Sequence, residues 1–501
     1  MKKTLLFVLL ALLLPLVANA YDFESGGIYY NFNSDGTSVT VTHKASDDSP
    51  DFYNSYFGEV VIPPTVKYGI DSYSVTSIGE DAFSHCHDLT SVTIPNSVII
   101  IEEFAFRKSK LLTSVSFGNG VTTIGKGAFE DCEGLTSVII PNSVTSIGKN
   151  AFNDCKGLAS VTLGNSVTII DEGAFERCSS LMSITIPSSV TSIGKEAFEK
   201  CYALSSLIIM DGVTTIGQEA FDNCTSLTEV TIPGSVTSIG TWAFRDCSCL
   251  TSVNILNGVT TIGDNAFLGC TSLTTINIPS SVTSFGDNIF RYCESLETII
   301  ISNKVTRIGE SAFSNCKSLT SVNIPESVTT IGDYAFSGCT GLTSVKISSS
   351  AASTEDTSES RKLLTTNNST TSIGQYAFAD CSALNEVYCM SEQVPATESN
   401  AFENTDIASA TLYVPASAID DYKSTAPWSG FGNILALGPA TLLGDANGNG
   451  EVEIGDVTSV LTLMATPEAA GYNNKAADAN QNGVIEIGDV TTILTIMANG
   501  E

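Results

Sequence analysis

A chain of 501 residues is too long for one ordinary hydrophobic core. Its 43% hydrophobic and 15% charged content excludes a disordered polar chain. A net charge of -31 argues against nucleic acid, whose phosphates need a basic face, and against an anionic membrane surface.

Residues 1–20 read as a signal peptide: Lys2 and Lys3, an apolar run from Leu5 to Val17, then Ala18-Asn19-Ala20 as a small-residue cleavage site. Tyr21 would open the mature chain, and since it is not Cys, lipid attachment there is not expected. No later stretch approaches the ~20 apolar residues of a membrane span. The expectation is a secreted or cell-surface protein. In residues 21–75, Gly27–Phe32 and Ser38–Thr42 alternate as a hairpin does, and Glu59–Pro63 has the pattern of a degenerate first turn. A stacked array needs its first core layer covered, so 21–75 reads as an N-terminal β cap.

A 23-residue repeat occupies 76–347. Its marker Phe stands at 83, 106, 129, 152, 175, 198, 221, 244, 267, 290, 313 and 336, with later copies at Phe378 and Phe402. A fixed period in this range means a solenoid, whose core grows one turn at a time. The unit Gly134–Lys156 places Leu135, Val138, Ile140, Val144, Ile147, Ala151, Phe152 and Cys155 inward. Its opening is a leucine-rich-repeat strand with β-branched substitutions. Pro141 ends that strand because it lacks a ladder donor. Val144–Ile147 reads as a second short strand and Lys149–Asp154 as one helical turn. Gly148 lies in a row that is Gly in 11 of 13 turns from 79 to 374, with Glu102 and Asp171 the exceptions. That row is expected to need positive φ. Pro closes the first strand at 95, 141, 187, 233, 279 and 325, every second turn.

Twelve of the 14 cysteines share one phase, three residues after the Phe. Side chains stacked in parallel at ~4.8 Å do not meet disulfide geometry. They are expected to be buried free thiols. Cys249 and Cys389 are out of phase and are the better disulfide candidates.

Residues 348–371, rich in Ser, Thr, Ala and Asn, read as a disordered insertion. Residues 372–436 hold the last repeats and a C-terminal cap, with Ala410–Pro415 as the last strand and Ile419–Trp428 folded over the open end. Residues 437–444 form a linker.

Residues 445–501 carry nine acids and one Lys. Asp445–Asp456 and Asp478–Asp489 are twelve-residue loops with oxygen donors at positions 1, 3, 5, 9 and 12 and Gly at 6. Calcium needs six to eight oxygens, and Gly permits the tight turn between them. The direct ligands are Asp445, Asn447, Asn449, the Glu451 carbonyl and Asp456 in one loop. In the other they are Asp478, Asn480, Asn482, the Val484 carbonyl and Asp489, with Glu453 and Glu486 acting through water. Two Ca2+ are expected. Each loop leads into an amphipathic helix, so the pair can pack face to face.

These loop–helix repeats resemble a dockerin type I domain over 445–501. The 23-residue turns resemble the BspA-like leucine-rich repeats of Bacteroidetes-type surface proteins over about 76–436, as do Tyr21–Glu24 and Leu412–Pro415. The resemblance implies surface display, adhesion to a protein or glycan ligand, and a non-catalytic role. A dockerin implies a cohesin partner, often in assemblies that degrade polysaccharides. At loop positions 10 and 11, where cellulosomal dockerins usually carry a hydroxyl pair, this chain has Ile454-Gly455 and Ile487-Gly488, and the basic residues usual later in the helix are absent. Calcium binding carries over to the named residues; binding to a standard cohesin does not.

The candidate ligand face of the solenoid is one row of the first strand: Ser91, Ser114, Ser137, Ser160, Ser183, Ser206, Glu229, Ser252, Thr275, Thr298, Ser321 and Ser344. Such a hydroxyl row binds an extended partner through many weak contacts, or merely keeps a β surface soluble; no Trp or Tyr stripe accompanies it. Catalytic signals are weak. The histidines are 43, 85 and 87, and no nucleophile elbow, P-loop or dinucleotide glycine pattern occurs. His85-Cys86-His87 hints at a metal site, but Cys86 has the buried phase. Many acids lie on repeat turns, and none is marked as a catalytic pair.

The expected fold is a β-rich leucine-rich-repeat solenoid of about 14 turns, roughly 65 Å long at ~4.8 Å per turn, joined to a small helical calcium-loop domain. The expected function is a non-catalytic, adhesin-like binding scaffold. The alternatives are a non-catalytic subunit of a polysaccharide-degrading assembly docked through a cohesin, and a glycan-acting enzyme.

Overall fold

The computed structural model describes residues 20–44, 55–348 and 371–437. The leader before Ala20, the insertion between Ser348 and Thr371, and the linker and calcium loops after Leu437 lie outside the described residues.

The 23-residue period becomes one turn of a solenoid. Each turn lays down two short strands, and most strands pair in parallel with their equivalents on the next turn. Ser137–Ile139 pairs with Ser160–Thr162, and Ser146–Ile147 with Ile169–Ile170. The eight inward positions of the Gly134–Lys156 unit are all at most 2% exposed, as the apolar pattern requires. Their centre is a column of rings. Consecutive marker phenylalanines from Phe83 to Phe402 stack with centroids 4.8–5.7 Å apart, an offset arrangement that the ring quadrupole favours. Phe336 and Phe378 are 42 residues apart in sequence, yet they stack at 5.3 Å, so the insertion leaves the column in register.

Both ends of the column are closed. The expected hairpin, Ile28–Phe32 with Ser38–Thr42, pairs antiparallel, and its second strand joins the solenoid through Asp71–Ile78. Tyr56 lies 4.3 Å from Phe83, and its hydroxyl donates to the Thr42 carbonyl. At the other end Trp428 is wholly buried and sets its edge on Phe402 at 5.7 Å, while its indole N–H donates to Thr397 Oγ1 at 3.0 Å. Helix α1, Ile419–Ser424, brings buried Tyr422 beneath it. Ala410–Pro415 is not the last strand, because Asn433–Ala436 adds one more parallel rung.

The return segment differs from the helical turn expected for Lys149–Asp154. Its N–H groups alternate between two destinations. Asn150, Phe152 and Asp154 donate to the next turn at Glu172, Ala174 and Glu176, whereas Ala151, Asn153 and Cys155 donate three residues back. Left-handed φ of 55° at Asn150 and 56° at Asp154 reverses the chain between them. Tertiary stacking thereby takes half of the donors that a helix would keep.

The glycine row also has another reason than the expected one. Gly148 does not have positive φ, and neither do Glu102 and Asp171. A Cβ on Gly148 would lie 2.9 Å from the Gly125 carbonyl carbon and the Lys126 nitrogen. The row is glycine because stacked backbones touch there.

None of the 14 cysteines is in a disulfide. Cys155 Sγ donates to the Phe129 carbonyl at 3.1 Å, and the in-phase cysteines from Cys132 to Cys381 make the same bond one turn back. Where Cys is missing, Ser109 and Thr405 supply the donor, at 2.6 and 2.7 Å. The position therefore selects a small buried donor. Cys249 and Cys389 are not a disulfide pair: Cys249 is exposed, and buried Cys389 contacts the Tyr422 hydroxyl at 3.2 Å.

A candidate ligand-binding face

The first strands of successive turns form one face and bring the expected row into register. Ser137, Ser160, Ser183 and Ser206 pair in succession, as do Glu229, Ser252, Thr275 and Thr298, and Ser321 with Ser344. Ser91 pairs with Ser114. Nine of these twelve side chains are exposed, and Ser91, Ser252 and Ser344 are half-buried. Among the described residues none of their hydroxyls bonds to protein. One position earlier the hydroxyls are engaged: Thr251 Oγ1 donates to the Thr228 carbonyl at 2.9 Å.

This face is interrupted at regular places. No pairing joins Ser114–Ser116 to Ser137–Ile139, Ser206–Ile209 to Glu229–Ile232, or Thr298–Ile299 to Ser321–Ile324. Each strand after a break leads into a proline, at 141, 233 or 325. On the intervening turns the residue in that place donates backward: Met210 to Ile186, Leu256 to Ile232 and Ser348 to Ile324. Proline has no N–H to donate, so every second interface starts one ladder bond short. Pro187 and Pro279 lie at interfaces that keep partial pairing, a single residue pair in the first case.

An exposed isoleucine stands at the edge of each break: Ile139 (71% exposed), Ile208 (54%) and Ile300 (76%). At the middle break the surface sinks into a depression of about 420 Å³ lined by Leu207, Ile208, Ile209, Glu229, Val230, Thr231, Ser252 and Asn254. At the C-terminal end the same row as these isoleucines carries Tyr388 and Tyr413, stacked at 4.6 Å, with the Tyr388 hydroxyl on Glu386 at 2.9 Å. Burial and then Glu386 hold that phenol above its ordinary range. Sequence reasoning missed these residues. Their signal was an apolar or aromatic residue at the outward position where Thr or Asn is usual.

Other polar clusters lie away from this face. On the return face Glu176, Glu196 and Glu199 bring carboxylate oxygens within 4.8 Å of one another, and so do Glu199, Glu219 and Asp222. Burial raises Glu176 and Asp222; on Asp222 the Arg245 guanidinium opposes it, with Nε 2.9 Å from Oδ1. Lys200 binds Glu199. His85 and His87 flank a Cys86 that points into the core. Burial, then Arg107, lowers His85 to about 4, which disfavours its cationic form. No described helix is long and apolar enough to cross a membrane. The calcium ligands Asp445 to Asp489 lie outside the described residues.

The repeats match the model of the BspA type leucine rich repeat region over 49–181, 123–251, 191–320, 243–359 and 317–423. The chain belongs to the BspA-type leucine-rich repeat family. A leucine-rich repeat protein from Bacteroides ovatus is 29% identical, with a TM-score of 0.54, over 74% of this chain and 94% of that one. A leucine rich cell surface protein from Faecalibacterium prausnitzii is 30% identical over 73% of this chain and 94% of its own, with a TM-score of 0.42. The pneumococcal vaccine antigen PcpA is 18% identical over 83% and 98%, with a TM-score of 0.45. No curated protein sequence matches the chain.

Proposed function

We propose that this BspA-type protein is a secreted or cell-surface, non-catalytic binding scaffold, adhesin-like, whose strand face takes a protein or glycan ligand. The observation that carries this reading is the unbonded serine row: a rigid, registered array of hydroxyls that the fold itself does not use. Rigid presentation lowers the ordering cost of each weak contact. The leader Met1–Ala20 supports export. In this reading the loops Asp445–Asp456 and Asp478–Asp489 hold two Ca2+ and attach the scaffold to a partner protein. Those paired loops also favour a second reading, a non-catalytic subunit of a polysaccharide-degrading assembly held by a cohesin.

Capture by the full-length chain from panels of matrix proteins and glycans tests the proposal. Ser160→Arg with Ser183→Arg should abolish ligand capture without changing the thermal transition of the solenoid. Chelation should remove a separate calorimetric transition and the attachment partner, while ligand capture persists, because calcium binding is part of folding in such loops. Equal capture by the double-arginine variant would overturn the strand-face reading. A calorimetric trace unchanged by chelator would overturn the calcium assignment. A cohesin-bearing attachment partner would favour the second reading, and glycan hydrolysis by the purified chain would overturn the non-catalytic one.

A further inference from the structure

We infer that the middle break of the strand face is a recognition crevice for an extended, lysine- or arginine-bearing polypeptide segment. The inference rests on the strand face being the ligand face and assigns its specificity. Three independent features meet at this one place. The ladder opens between Ser206–Ile209 and Glu229–Ile232, so the backbone groups along the two edges of the gap are not joined by rungs. The only acid of the Ser91–Ser344 row, Glu229, stands on one wall, exposed and without an ion pair among the described residues. Ile208 forms the facing wall and is 54% exposed.

The chemistry of the walls selects the occupant. A concave site with an aliphatic floor and a few convergent polar groups suits a ligand that is part apolar and part polar. Glu229 and Ser252 are in register, as are Thr231 and Asn254, so carboxylate, hydroxyls and amide form a compact square of polar groups. A lysine or arginine head reaches Glu229 while an aliphatic neighbour covers Ile208. The segment's amides then meet Thr231, Ser252 and Asn254. The chain's net charge of -31 adds long-range attraction for a basic partner. No aromatic ring lines the crevice to stack on a sugar, so a neutral glycan is the poorer fit.

The test uses the full chain and three fluorescent probes: a capped six-residue peptide alternating lysine and valine, its counterpart with glutamine for lysine, and cellohexaose. Anisotropy should show binding of the lysine peptide, with the glutamine peptide at least about tenfold weaker, as loss of a charge-assisted contact implies. Glu229→Gln should weaken lysine-peptide binding about tenfold and Ile208→Thr by less, both with unchanged melting. Glu326→Gln, an exposed acid beyond a corner, should leave binding unchanged. If Glu229→Gln binds like the parent while Ser183→Trp on the same face still blocks, the crevice assignment fails and the strand-face reading stands. If neither matters, both fail. Tighter binding of cellohexaose than of the lysine peptide would also overturn the assignment.

Discussion

The two strand faces of this solenoid share one pattern of hydroxyls but differ in how continuously their turns are joined. On the second face the threonine before most strands donates its hydroxyl to the turn before, as the Thr251 row does on the first. Thr145 Oγ1 donates to the Thr122 carbonyl, Thr168 to Thr145, Thr191 to Thr168 and Thr214 to Thr191. That face runs unbroken from the N-terminal cap to Ser284–Phe285. The first face breaks three times and leaves its serine row unbonded. Two residues account for the difference. Glycines such as Gly148 and Gly240 stand beside the second face and let adjacent backbones close up. Prolines such as Pro141 and Pro233 stand at the end of the first face and withhold a rung. The second face joins its turns without a gap up to Ser284–Phe285, whereas the first is divided at three interfaces among the described residues.

The faces share one core, so a perturbation of that core should unfold both together. Burial raises the row thiols from Cys132 to Cys381 above their ordinary 9.0, Cys381 to about 12. Below pH 9 these thiols are protonated in both states and add no pH dependence. Above it the unfolded chain sheds their protons and the folded chain does not, so the unfolded state binds fewer. Stability then falls by up to about 1.4 kcal/mol per pH unit for each thiol. Circular dichroism from pH 8 to 11 should show one steep loss of structure completed by about pH 10.5. Hydrogen exchange should lose protection on both faces in the same step. Loss of the first face a full pH unit earlier would show that the breaks uncouple it from the column.

A smaller effect separates the faces. An alanine Cβ at Gly240 would lie 2.6 Å from the Gln218 nitrogen and the Gly217 carbonyl carbon. Neither atom belongs to a flexible side chain, so the two turns must part. Gly240→Ala should cost about 3 kcal/mol, the upper range for overpacking a close-packed interior. Urea denaturation with an unchanged slope would measure it. A cost under about 0.5 kcal/mol would mean that the second face is looser around Gly240 than its continuous ladder there indicates.

Much of this was legible in the sequence because a repeat states its core many times. The eight buried positions of Gly134–Lys156, the free thiols and the closing hairpin all follow from phase. The misreadings share a cause: they concern what lies one turn away. Lys149–Asp154 looks helical by itself, but Asn150, Phe152 and Asp154 bond to the next turn. Gly148 looks like a positive-φ residue, but the neighbouring Gly125 fixes it. Pro141 ends its own strand, but it also withholds a rung from the interface with the turn before. The candidate binding face was visible as a serine row, and its relief was not, because the depression beside Glu229 exists only between Leu207 on one turn and Val230 on the next.

The smallest effect is the most direct test of the contrast between bonded and unbonded hydroxyl rows. Thr214 Oγ1 donates to the Thr191 carbonyl at 2.9 Å, and Thr214→Val removes that bond while keeping shape and β-branching. The carbonyl keeps its partner in the Thr214 N–H at 2.8 Å, so no acceptor is orphaned and the cost should be about 0.5–1 kcal/mol. Ser183→Ala removes a hydroxyl that bonds to no other described residue, and its cost should stay within about 0.5 kcal/mol. Ligand capture should rank the two variants in reverse, with Ser183→Ala weakened and Thr214→Val unchanged. If both variants lost equal stability and neither lost capture, the serine row would be a solubilising surface, and recognition would have to reside at the breaks or in the calcium loops. If the ranks cross as expected, the same hydroxyl chemistry serves cohesion in the bonded threonine rows and recognition in the unbonded serine row.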